Sequence, residues 1–150
     1  MRLNRLLVEI SWGSSYPFQQ KKFSHFNATY TFKNKSGTPY YVQFREDGGY
    51  VEIVFGTEKS GKRDTESMVN QNDALRTLST VFNVVAEYRH KLGAYKEEEL
   101  LGYVFYPSER TGESVKNTAR SRIYIDYIKK AFPHAEVEDK GFRVVIHPEM

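Results

Sequence analysis

The sequence predicts an α+β fold, a mainly antiparallel mixed sheet flanked by two helices. Apolar and polar residues alternate in the first half of the chain, hairpin turns separate the alternating runs, and two later segments carry helical periodicity. The predicted order is β-β-β-β-(β)-α-β-α-β-β. Residues 1–150 are predicted to form a single domain, because no linker divides them and 150 residues is the size of one ordinary domain.

The first half is predicted to be an antiparallel meander. Residues 25–33 alternate strictly between apolar and polar types, and Asp47-Gly48-Gly49 has the composition of a tight hairpin turn. Residues 11–22 are polar and contain Gly13 and Pro17, so they are predicted to form a loop or a lightly structured excursion. The charged segment 56–65 is predicted to form an exposed loop. The predicted strands are 3–10, 25–33, 40–46, 50–55 and an optional 66–69.

Two helices and three further strands are predicted in the second half. The first helix begins near Asn72 or Asp73, either of which can cap it, and ends near Leu92, before Gly93. Its apolar positions from Leu75 onwards follow one helical face. The second helix is predicted over residues 115–131, since Pro133 ends it. Residues 100–106 form a strand between the helices, and a hairpin turning at 139–141 follows them.

Composition excludes several classes of protein. The chain has no cysteine, which excludes disulfides and thiolate metal sites and favours a cytoplasmic location. No apolar run is long enough to span a membrane. Its four histidines lack chelating spacing, so no metal site is predicted, and no nucleophile motif or phosphate loop occurs. The net charge of +3 is mild, and acidic residues mixed among the basic ones argue against a nucleic-acid surface.

The segment before and within the second helix is the best candidate for a binding site. It is rich in hydroxyl and cationic side chains and leads into a helix N-terminus, where free N–H groups favour an anion. Arginine can hold phosphate through two hydrogen bonds. We therefore expect a site for an anion or a phosphorylated small ligand, the alternative being a capped helix with a solvated basic face. The predicted ligands are Arg110, Ser114, Lys116, Asn117, Arg120 and Arg122.

Tyr124 lies four residues after Arg120, so the two share a helix face. Tyr124 is either a proton donor or a tyrosine at the edge of the core. The helix–strand–loop–helix order with Asn117 and, seven residues later, Tyr124 resembles the second half of a GCN5-related N-acetyltransferase (GNAT). That resemblance implies a GNAT-like core, acetyl-CoA as cofactor, Asn117 as a cofactor contact and Tyr124 as the acid that protonates the departing thiolate. The place of the family's pyrophosphate motif, residues 71–76, contains no glycine here.

A second resemblance covers more of the chain. A strand meander, a helix like residues 78–85, a strand like residues 101–105 and a helix with Arg120 and Tyr124 resemble small uncharacterised proteins of tailed bacteriophages. This resemblance implies a phage origin and no particular activity. The favoured function is therefore non-enzymatic binding of a host or phage protein. A divergent acyl-CoA-dependent acyltransferase and a binder of a phosphorylated small ligand stay open as alternatives.

Overall fold

The computed structural model describes residues 15–59, 62–64, 71–106, 119–140 and 143–148. Within these ranges the chain begins with a four-strand antiparallel meander, in which each strand pairs with the next one along the sequence. A short fifth strand pairs antiparallel with the fourth. The strands are β1 (Phe18–Ser24), β2 (Asn27–Lys33), β3 (Pro39–Asp47), β4 (Tyr50–Lys59) and β5 (Lys62–Asp64). The predicted meander is therefore confirmed.

Strand β1 lies where the sequence predicts a loop. Residues 19–22 are exposed, and only Phe18 and Phe23 pack against the core. Phe18 and Phe23 are five positions apart in the sequence, and the register of β1 on β2 shifts between them, at Gln20 and Lys22. A bulge inverts the alternation of faces along a strand, so the period-two signal disappears from the sequence. The loop prediction is therefore wrong for residues 18–22.

Strand β4 is longer than predicted. It extends to Lys59, and β5 follows it, within the segment 56–65 that the sequence predicts as an exposed loop. The pairing with β3 continues past Phe55, and Thr57 opposite Tyr40 is fully buried. Packing against a neighbouring strand outweighs the polar composition of this segment. The predicted strands at 3–10 and 66–69 lie outside the described residues.

Helix α1 (Gln71–Leu92) confirms the first predicted helix, and it begins one residue before the predicted cap. Gly93 ends it with φ 88°, a left-handed conformation that favours glycine. A second helix, α2 (Ala94–Glu97), follows directly and is not predicted by the sequence. Four residues are too few to produce a periodic pattern.

The second half completes one mixed sheet. Strand β6 (Gly102–Phe105) is parallel to β4, β8 (Val144–His147) is antiparallel to β6, and β7 (Glu136–Asp139) forms the edge beyond β8. The order is β1-β2-β3-β4-β6-β8-β7, with β5 paired to β4 off this path. A Cβ at Gly102 would lie 2.5 Å from the Ile146 carbonyl oxygen, so the close approach of β6 and β8 requires glycine there.

Helices α1 and α3 (Ala119–Ala131) pack on one face of this sheet. Phe82 of α1 packs on Phe105 at 5.1 Å between ring centroids, and Tyr88 stacks on Phe44 at 4.0 Å. The core is rich in aromatic side chains from both layers. The α+β class and the mixed, mainly antiparallel sheet are therefore confirmed, with three helices among the described residues instead of two. Residues 115–118 of the second predicted helix lie outside the described residues.

Candidate interaction surface

The predicted anion site falls largely outside the described residues. Arg110, Ser114, Lys116 and Asn117 all belong to the segment that the structure does not describe. Arg120 and Arg122 belong to the first turn of α3. The anion site therefore stays a prediction.

Tyr124, the predicted proton donor, is a core residue. It is 1% exposed, and its ring makes edge contacts with Phe55 at 6.4 Å and Phe105 at 5.6 Å between centroids. The side chain of Tyr124 is thus turned towards the sheet. Its acyltransferase role, like that of Asn117, stays a prediction.

The residues that the structure describes lack two functional features. No three histidine, aspartate or glutamate side chains come together in a way that could hold a metal ion. None of the described helices is long and apolar enough to cross a membrane.

A hydrogen-bond network surrounds α2 at one end of the molecule. Arg89 of α1 donates from Nε and Nη2 to the two carboxylate oxygens of Glu97, each at 2.6 Å. The third guanidinium nitrogen, Nη1, donates to the carbonyl oxygen of Ala131 at the end of α3, at 2.8 Å. One arginine therefore ties α2 to both long helices, and its cation lies 4.4 Å above the Phe132 ring.

Tyr103 of β6 completes this network. Its hydroxyl donates to Glu97 Oε2 at 2.6 Å, and its side chain is fully buried. Burial, followed by the charge of Glu97, raises the pKa of Tyr103 well above its usual range. Burial alone would lower the pKa of Arg89, but the hydrogen bond and the charge of Glu97 raise it overall. Glu97 therefore accepts three short hydrogen bonds, and α2 is fixed to the sheet as well as to the helices.

This fixed helix presents an aromatic side chain to solvent. Tyr95 of α2 is 89% exposed, and Leu101, between α2 and β6, is 60% exposed. A shallow depression lies beside Leu101. Its lining residues are Ala94, Glu97, Glu98, Leu100, Leu101, His147 and Pro148. We use the name α2 surface for Ala94, Glu98, Leu101, His147 and Pro148 of this depression together with the exposed Tyr95, which follows Ala94 on α2.

The backbone of Leu101 is held by Gly49 and His147, although its side chain is exposed. Its N–H donates to the Gly49 carbonyl oxygen at 2.8 Å, and its own carbonyl oxygen lies 3.2 Å from His147 Nδ1. Gly49, at φ 91°, allows the β3–β4 turn to approach closely, since a Cβ there would lie 3.0 Å from Leu101 Cδ1. The ring of His147 in turn contacts Tyr50 edge-on at 6.3 Å. The α2 surface is thus preorganised around its exposed leucine.

Carboxylates surround the α2 surface on three elements. Glu98 lines the depression, Glu46 accepts a hydrogen bond from the Gly49 N–H, and Glu138 lies 3.5 Å from His147 Nε2. Lys96, the lysine of α2, is paired with Glu99 at 3.6 Å. The rim is therefore acidic, in contrast to the net charge of +3 for the whole chain.

Sequence reasoning missed the α2 surface. Tyr95 follows the helix stop at Gly93 and belongs to a helix too short to show periodicity. The dipeptide Leu100-Leu101 looks like the start of a buried strand, although Leu100 is buried and Leu101 exposed. One signal was available: Tyr95 lies in a polar stretch between the helix and the strand, where an aromatic residue has no predicted core face to occupy.

Comparison with protein-family models, with curated proteins and with solved structures found no match to this chain.

Proposed function

We propose that this protein is a non-catalytic binding domain that captures another protein through the α2 surface. The observation that carries the proposal is the 89% exposure of Tyr95 on a helix fixed by Arg89, Glu97 and Tyr103. An exposed hydrophobic residue by itself needs no explanation. An exposed tyrosine on a rigidly held helix is different, because tyrosine is one of the residue types enriched in binding hot spots.

Tyrosine suits this role because it offers a large contact area while losing little side-chain freedom on binding. Binding also requires less ordering when the element that bears the contact is already rigid. Here α2 is held by charge-assisted hydrogen bonds to α1 and β6, and Leu101 is held by the β3–β4 turn and by β8. The resemblance to proteins of tailed bacteriophages makes bacterial proteins the first partners to test.

Affinity capture with matched variants tests this proposal. Immobilised wild-type protein, Tyr95→Ala and Lys35→Ala would each be incubated with bacterial lysate. Lys35 is the control because it is exposed in the β2–β3 turn, at the end of β3 opposite to the β3–β4 turn that contacts Leu101. We expect a protein that is retained by the wild type and by Lys35→Ala and lost with Tyr95→Ala. Equal retention by all three, or retention of nothing, would contradict the proposal. Both substitutions are at exposed positions, so neither should unfold the domain.

A further inference from the structure

We propose that the occupant of the α2 surface is a basic segment of a partner protein that carries an apolar anchor residue. This inference rests on the proposed function and names the class of partner. It depends on how charge and apolar area are arranged among the described residues at this end of the molecule.

Six exposed carboxylates lie on the elements that border the α2 surface. The exposed carboxylates of the described residues there come from the β3–β4 turn, from α2 and the residues after it, and from β7. They are Glu46, Asp47, Glu98, Glu99, Glu136 and Glu138. The formal cation among the described rim residues is Lys96, and it is paired with Glu99. These six carboxylates and Lys96 together carry a formal charge of −5, against +3 for the whole chain.

Two arginines on neighbouring elements are already paired with other carboxylates. Arg89 is occupied by Glu97, and Arg45 is bound to Glu52 at 3.0 Å. His147, on the rim itself, faces Glu138 through Nε2, and Glu136 is its register partner on β7. A cationic segment would therefore meet complementary charge from these exposed carboxylates.

The centre of the surface supplies the apolar half of the match. Leu101 and the depression beside it offer an aliphatic side chain a place to dock, and Tyr95 adds exposed aromatic area on the short helix that carries Ala94. The exposed face of the Tyr95 ring can also receive a lysine or arginine cation. An apolar centre within a charged rim is the general anatomy of protein interfaces, and here the rim selects basic partners.

Titration with three synthetic peptides tests the inference. Isotope-labelled protein would be titrated with short peptides that alternate leucine with lysine, with glutamate or with serine, and amide shifts and dissociation constants would be recorded. We expect the lysine peptide to bind most tightly, to shift the amides of Tyr95 and Leu101, and to weaken as salt is added. Tighter binding of the glutamate peptide would overturn the basic-partner inference and leave the proposed function standing. Binding of none of the peptides would overturn the inference as well, while the capture experiment with Tyr95→Ala judges the proposed function separately.

Matched charge variants locate the effect. Glu98→Gln and Glu138→Gln should each weaken binding of the lysine peptide about two- to five-fold, the range expected for one exposed charge contact. Asp126→Asn removes the same charge from an exposed position on α3, outside the α2 surface, and should leave the affinity unchanged. Equal effects of all three variants would contradict a local site. Self-association seen by analytical ultracentrifugation that the lysine peptide does not disrupt would identify a second copy of this chain as the occupant and overturn the inference.

Discussion

Arg89 and Glu97 form a two-pronged ion pair across Gly93, with both nitrogen–oxygen distances at 2.6 Å. Their side chains are only 24% and 15% exposed, so the pair is poorly solvated. Removing one partner would leave the other partly buried without its counter-charge. We therefore expect Glu97→Gln to lower the free energy of unfolding by about 2 kcal/mol or more. Urea unfolding checks this value.

Glu99→Gln is the matched control for that variant. It makes the same substitution two residues further along, in an exposed pair with Lys96 at 3.6 Å. Exposed pairs contribute little, so a loss under about 0.5 kcal/mol is expected. Equal losses for the two variants would show that the Arg89–Glu97 pair contributes no more than an ordinary surface contact.

The hydroxyl of Tyr103 should be a measurable part of the same network. Tyr103→Phe removes a buried donor to Glu97 and should cost about 1–3 kcal/mol. Tyr106→Phe removes a similar hydroxyl whose bond to Glu52 is long, at 3.5 Å, and should cost less than about 0.5 kcal/mol. Urea unfolding checks both values. An equal loss in the free energy of unfolding for the two variants would contradict the role given to the Tyr103 hydroxyl.

Asn83 is expected to be a site where substitution raises stability. It is 5% exposed, and both atoms of its amide are buried without a hydrogen-bond partner, as judged over the part of the chain that the structure describes. An unsatisfied buried amide is unfavourable, and leucine has a similar size and a better helix propensity. Asn83→Leu should therefore raise the free energy of unfolding by about 1–2 kcal/mol.

Thr80→Val is the contrasting variant for Asn83→Leu. The Thr80 hydroxyl accepts from the Tyr16 N–H and donates to the Arg76 carbonyl oxygen, both at 2.8 Å. Its loss should cost about 1 kcal/mol or more. If Asn83→Leu also proved destabilising in thermal or urea unfolding, the Asn83 amide would have to be satisfied in solution.

Stability should fall in alkaline solution because of buried tyrosines. Burial, and secondarily the charge of Glu87, raises the pKa of Tyr30 from 10.0 to about 12. Burial also raises the pKa values of Tyr88 and Tyr103. The unfolded chain thus releases these protons near pH 10 while the folded chain retains them, so stability is complete below pH 10 and is lost as the pH rises towards about 12.

Unfolding free energies measured between about pH 8 and about pH 12 check this expectation. Tyr30→Phe removes one of the three groups and should make the decline shallower, while leaving stability near pH 8 little changed. A flat profile for the wild type, or an identical decline in the Tyr30 variant, would show that burial does not raise these pKa values.

The regular elements of the fold could be predicted because their patterns are local. The alternation along β2 arises from burial on one side, which the sequence records directly. The apolar positions of α1 recur at helical spacing, although residues 77–85 are buried on every side of the helix. β1 could not be predicted in this way, since its outer position leaves it exposed and its bulge disrupts the alternation of Phe18 and Phe23. An edge strand is defined by its neighbour β2 and not by its own composition.

The α2 surface depends on relationships that no local pattern contains. Glu97 meets Arg89 because Gly93, in a left-handed conformation, joins α1 to α2. It meets Tyr103 because β6 pairs parallel with β4. Leu101 is held by Gly49, which is distant in sequence. Such a site becomes visible only when the topology is known. The anion site predicted around Arg110, Ser114 and Lys116 lies outside the described residues and stays a prediction.

Site-specific photocrosslinking tests the central claim most directly. A benzophenone amino acid would replace Tyr95 in one sample and Lys35 in a second, and each protein would be irradiated in bacterial lysate with and without excess unmodified protein. The binding function predicts a discrete adduct from position 95 that the unmodified protein suppresses, and none from position 35. The same adducts from both positions, or none from position 95, would contradict the claim that the α2 surface captures a protein.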